Sequence, residues 1–88
     1  MKLVVLYRPN SEHSRQVEEF VHDFIRFEPT RTVDLIDVDS PFGVAKCEVY
    51  DIVRYPSILA LGDDGVLLRS WSGELPLMDE LSYYAQPV

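Results

Sequence analysis

The residues Lys2-Leu3-Val4-Val5-Leu6-Tyr7 form an apolar run, rich in β-branched side chains, that breaks at Pro9-Asn10 and gives way to helix-type periodicity. An apolar run without polar alternation reads as a strand covered on both faces. It therefore belongs in the middle of a sheet. A chain leaving the carboxyl end of such a strand through a turn into a helix also presents unpaired backbone N–H groups there, which makes that end the first place to look for a site.

After the turn, Val17, Phe20, Val21, Phe24 and Ile25 recur at intervals of three and four, which puts them on one helical stripe, with Glu18, Glu19, His22, Asp23 and Arg26 largely opposite. Pro29 ends this helix, because the residue before a proline disfavours the helical region. The stretch Arg31 to Val38 reads as a second strand at a sheet edge, with a change of phase near Leu35-Ile36. A strand, helix, strand succession implies a right-handed crossover and a parallel pair. Asp39-Ser40-Pro41 supplies a cap and an early-turn proline for a short helix over Val44 to Asp51. Pro56 opens a third strand, Ile58 to Leu61, since the first residue of a strand is one of the places that tolerate proline. Asp63-Asp64-Gly65 is a hairpin turn into Val66 to Trp71. Ser72-Gly73 breaks that strand, and Pro76 to Ala85 forms a last helix with Leu77, Met78, Leu81 and Tyr84 toward the sheet. The expected order is βαβαββα.

Eighty-eight residues enclose a single core, so one domain over 1–88 is expected. The net charge of −7, from 15 acidic residues against 8 Lys plus Arg, repels phosphate backbones and anionic lipid, so neither nucleic acid nor membrane is an expected partner. No apolar run approaches the ~20 residues that span a bilayer, and Lys2 leads directly into strand-like sequence without a signal-peptide pattern. A cytoplasmic location is the resulting expectation. The single cysteine, Cys47, excludes an intramolecular disulfide and a cysteine-based metal cluster within the chain.

Three pieces, in this order, resemble the thioredoxin-like superfamily in its short, glutaredoxin-sized form. Val5 to Ser14 is similar to the strand and Cys-x-x-Cys loop of that family, with Ser11-Glu12-His13-Ser14 in place of the motif. Ala45 to Ser57 is similar to the short helix that leads to the family's cis-proline, here Tyr55-Pro56. Asp64 to Leu81 is similar to its final hairpin, glycine and helix. The resemblance implies a four-stranded mixed sheet flanked by three helices, with Pro56 cis and facing Ser11. It also implies a groove for an extended peptide or glutathione formed by Arg8, Ser11, His13, Tyr55, Pro56 and Gly73.

The chemistry of such a groove depends on the thiols. A helix N-terminus stabilises a thiolate and lowers its pKa, whereas a serine hydroxyl gains almost nothing from the same dipole. Ser11 and Ser14 stand at the two cysteine positions, and Val5 stands where thioredoxins carry a buried acid. Dithiol exchange is therefore not expected, and no catalytic residue and no cofactor are assigned. Ser11 is expected as an N-cap or first-turn hydroxyl, with Asn10 competing for the role, and Ser14 as a small packed residue bonded to backbone. His13 is the one nearby base, and on a helix it would point away from Ser11. His13 and His22 lack the further ligands that a metal site needs. Cys47 reads as a half-buried structural residue or, in the alternative, a reactive monothiol. Tyr7, Tyr55 and Trp71 stand near strand ends, where exposure would make them contact residues and burial would make them core. The expected function is a redox-inactive protein- or peptide-binding module. Glutathione binding, serine-type glutathione transferase chemistry and a monothiol role for Cys47 are the alternatives.

Overall fold

The structure, a computed structural model, describes residues 1–85; the last three residues of the expected domain lie outside the described residues. Four strands, β1 (Lys2–Tyr7), β2 (Thr32–Asp37), β3 (Ser57–Leu61) and β4 (Leu67–Ser72), and three helices, α1 (Ser14–Phe27), α2 (Pro41–Val49) and α3 (Met78–Ala85), follow one another as βαβαββα. The sheet order is β2-β1-β3-β4, with β1 and β2 parallel and the β1–β3 and β3–β4 pairs antiparallel. β1 lies inside the sheet and β2 at its edge, as the apolar and alternating patterns require.

Strand periodicity divides the interior in two. Leu3, Val5 and Tyr7 of β1 and Ile58 and Ala60 of β3 face α1 and α3, where they meet Val17, Phe20, Val21, Phe24, Trp71 and Leu81. Val4 and Leu6 of β1 and Leu59 and Leu61 of β3 face the other way, against Ile36, Val38, Cys47 and Ile52. Both inner strands are buried on both faces, which is why their sequences do not alternate.

Four local expectations are corrected. α1 begins at Ser14, because Asn10 turns the chain through a left-handed φ of 62° and a Ser14 N–H to Ser11 carbonyl bond of 3.2 Å closes a turn ahead of the helix. The residue at the N-cap is His13, so neither Ser11 nor Asn10 caps the helix. Ile25 is 48% exposed, at the margin of the apolar stripe, and Leu77 is 70% exposed because it precedes the first turn of α3. α2 starts earlier than its apolar residues suggest: Ser40 is the N-cap, accepting from the Gly43 N–H at 2.9 Å, and Pro41 occupies the first turn. Gly43 is required by packing. A Cβ there would lie 2.0 Å from the Asp37 carbonyl oxygen, so only glycine lets α2 approach the end of β2 so closely.

α3 is fastened to β4 by polar contacts at the edge of the core. The Trp71 indole N–H donates to Glu80 at 3.0 Å, the Arg69 guanidinium lies over the Trp71 ring, and Tyr84 meets that ring edge-on. The indole bond, a bond from the Leu77 N–H and the nearby Arg69 hold the Glu80 carboxyl below the usual glutamate range. A carboxyl whose pKa is depressed by folding contributes stability above its unfolded pKa and loses it as pH falls through the folded value. Acidification from neutral to below the carboxylate range is therefore expected to loosen α3, read as a change in the emission of Trp71, the chain's one tryptophan. E80Q should show less of this pH dependence; an identical titration in that variant would show that Glu80 is not the responsible group.

Candidate functional site

The carboxyl end of β1 meets the start of β3 and the end of β2. In the antiparallel register Leu6 pairs with Ser57, so the next residues, Tyr7 and Arg8, lie beside Pro56 and Tyr55. In the parallel register Tyr7 pairs with Asp37, which brings Arg8 toward Asp39. Side-chain contacts follow this backbone logic. The Arg8 guanidinium lies 5.6 Å from the centre of the Tyr55 ring and bonds to both Asp39 carboxylate oxygens, at 3.0 and 3.4 Å. The Asp39 carboxylate raises the Arg8 pKa further above its ordinary value. Both partners are exposed, so the pair orients more than it stabilises.

The loop between β1 and α1 is closed by its own polar groups. The Ser11 hydroxyl donates to the Arg8 carbonyl, the Ser14 hydroxyl donates to the Ser11 carbonyl at 2.9 Å, and the Arg8 N–H donates to His13 Nε2 at 3.3 Å. Ser14 bonds to backbone as expected. His13 instead folds back over the turn toward β1, and its acceptor nitrogen is engaged by backbone rather than by Ser11. No base faces either serine hydroxyl through a described hydrogen bond.

The Tyr55-Pro56 peptide bond is cis. Pro56 is buried, while Tyr55 is half-buried, and among the described residues the Tyr55 N–H and C=O have no hydrogen-bond partner. On the far side of Pro56, the Gly73 N–H donates to the Pro56 carbonyl at 2.8 Å, and Gly73 takes a φ of 77°, which favours glycine. A Cβ on Gly73 would lie 3.7 Å from Arg54 Nε, so the Arg54 side chain runs along this glycine. Arg54 is exposed, and its guanidinium has no ion-pair partner among the described residues. Arg8, Tyr55, Pro56, Gly73 and the Ser11-to-Ser14 turn thus gather at one end of the sheet. Tyr7 and Trp71 do not join them: both are buried core residues, with the Tyr7 phenol held above its ordinary pKa by burial and by Glu18.

Cys47 belongs to the opposite face. It is 8% exposed, on α2, within the second core. Tyr55 links it to the site end, because it packs against this second core, where burial, followed by the nearby Cys47, raises the Tyr55 pKa. Sequence reading missed this link, and it missed Asp39 and Arg54. The Asp39 contact had a signal, since two parallel strands ending in Tyr7-Arg8 and Asp37-Val38-Asp39 place opposite charges side by side. No metal-ligating group of three is found among the described residues. No described helix is long and apolar enough to cross a membrane.

The architecture has known counterparts. Over 96% of its length the chain superposes on oxidized thioredoxin O2 from Arabidopsis thaliana with a TM-score of 0.75, covering 71% of that chain at 11% identity. This is the thioredoxin fold. The same fold is matched in mitochondrial thioredoxin 3 from Saccharomyces cerevisiae, with a TM-score of 0.75 at 18% identity, over 97% of this chain and 77% of that one. Desulfothioredoxin from Desulfovibrio vulgaris Hildenborough gives 0.72 at 16% identity, over 96% and 78%. No family model and no curated protein matches the sequence. At these identities the likeness concerns the thioredoxin fold, and chemistry must be argued from the side chains themselves.

Proposed function

We propose that this chain is a thioredoxin-fold binding module without dithiol activity, which holds an extended peptide at the Tyr55-Pro56 end of its sheet. Ser11 and Ser14 stand where thioredoxins carry the cysteines of their motif. The observation that carries the reading is that both hydroxyls are spent on backbone carbonyls of the loop, while the one thiol of the chain lies on the other face of the sheet. Thiol–disulfide exchange needs a thiolate that can reach a disulfide and a second thiol to resolve the mixed disulfide. Neither is present at this end. What remains is a strand-pairing site: the Tyr55 N–H and C=O are unpartnered among the described residues, Gly73 leaves room beside them, and main-chain pairing of this kind gives affinity while neighbouring side chains give selectivity.

A second reading is favoured by one observation. The Arg54 guanidinium beside Gly73, without an ion-pair partner among the described residues, suits a carboxylate, so glutathione, a short peptide with two carboxylates, is the alternative occupant of the same place. Titration of isotope-labelled protein with an acetylated, amidated octapeptide of alternating Thr and Val separates the two. Saturating shifts of the Tyr55 and Gly73 amides with the octapeptide are the expected result. Movement of the Ser11, Tyr55 and Gly73 amides by reduced glutathione but not by the octapeptide would transfer the assignment to glutathione, and silence with both would overturn it.

A further inference from the structure

α2 is apolar on nearly every side, with Phe42, Val44 and Val49 exposed, although a helix of that composition is normally enclosed. Beside it the segment after the helix runs back across the sheet, held by the Ile52 N–H to Cys47 carbonyl bond of 2.8 Å, and places Val53 in solvent at 79% exposure. Between helix and segment lies a crevice of about 260 Å³ with Val44, Ile52 and Val53 on its walls and Cys47 at its base. That volume is below the range of most small-molecule pockets, roughly 300–1,000 Å³, and suits one apolar side chain. The rim is charged in one sense only. Glu48 and Asp51 line the crevice, neither carboxylate has an ion-pair partner among the described residues, and no Lys or Arg lines it.

We propose that this crevice docks a basic peptide segment, one Leu-like side chain entering between Val44, Ile52 and Val53 while flanking Lys or Arg side chains pair with Glu48 and Asp51. Charge complementarity selects this occupant over the others. An acidic or neutral segment would leave both carboxylates uncompensated, and a second copy of this chain would bring a further net charge of −7 against a surface of the same sign. The net charge also favours approach of a cationic partner from a distance, an effect that salt removes as the screening length falls to about 8 Å at physiological ionic strength. The site is separate from the Tyr55 pairing site, and the two meet only at the Tyr55 ring, which borders the crevice.

The test is a methyl NMR titration of the full chain with three acetylated, amidated dodecapeptides in a Gly-Ser background, centred on Lys-Leu-Lys, Glu-Leu-Glu or Lys-Ser-Lys. Saturating shifts of the Val44, Ile52 and Val53 methyls are expected with Lys-Leu-Lys, at an affinity about tenfold above either control and falling as salt is raised. Joint replacement Glu48→Gln and Asp51→Asn should remove most of that tenfold preference. Asn is chosen because Asp51 has a φ of 56°, which Asn also tolerates, and Glu48→Gln alone serves as the milder variant. Equal shifts from all three peptides, or no shift of these methyls with Lys-Leu-Lys, would each overturn the proposal.

Discussion

Phe24→Ala is expected to destabilise the protein severely and to move its urea unfolding midpoint far toward zero. Phe24 is 1% exposed and sits at the centre of the α1-side core, among the largest of the fully buried side chains. Removing a buried Phe costs about 3–5 kcal/mol from lost transfer free energy and from the cavity left behind. A domain has a total stability of roughly 0.05–0.15 kcal/mol per residue, about 4–13 kcal/mol for 88 residues, so the loss removes a large share of what holds the native state together. The contrast with the same helix at Ile25, 48% exposed, is the sharper form of the prediction. I25A should shift the urea midpoint only slightly, with the same slope, whereas F24A should lower it by at least about 1 M. Comparable midpoints for the two would mean that α1 does not pack on the sheet in this orientation.

The S11C/S14C variant should acquire a chemistry that the parent chain lacks. The turn that joins positions 11 and 14 carries an N–H to carbonyl bond of 3.2 Å, and a hydroxyl of one residue reaches the backbone of the other, so the two side chains belong to a single compact turn. Thiols there would lie at the start of α1, one ahead of the helix and one on its first residue, where free N–H groups favour a thiolate. Air oxidation is expected to remove two free thiols per chain, leaving Cys47 alone to react after denaturation, and the variant should reduce insulin disulfides in the presence of dithiothreitol faster than dithiothreitol alone. The gain should be smaller than in a thioredoxin, since the helix begins at Ser14 rather than at position 11 and the first thiol would stand outside the first turn. Persistence of three free thiols after oxidation would show that the loop cannot close a disulfide and that its likeness to the thioredoxin loop stops at the backbone trace.

How much of this was legible in the sequence follows from the range of the forces involved. β1 could be read to the residue, because a double-sided burial pattern has no competing local signal. The cap of α2 could also be read, since Ser40 and Pro41 act within one turn. The start of α1 could not. Two good capping residues, Asn10 and Ser11, competed there, and the outcome was decided by the left-handed turn at Asn10 and by His13 bonding back to Arg8. Leu77 carried the right spacing for a core position and lost it because α3 begins one residue later. At the site end, residue identities were read from local pattern, while their partners depended on register. Arg8 meets Asp39 only because β1 and β2 are parallel and aligned at Tyr7 and Asp37. The packing of Tyr55 against the core that holds Cys47 depends on how deeply α2 sits on the sheet, which no local spacing reports.

The central claim is that the end of β1 keeps a pairing surface while lacking the thiols that would make it a reductant. Turnover of insulin disulfides by the wild-type chain, with dithiothreitol as the electron source, bears on it most directly. The rate is expected to match dithiothreitol alone at every protein concentration and to stay unchanged in C47S. A rate that rises with protein and disappears in C47S would place working thiol chemistry at Cys47 and contradict the account.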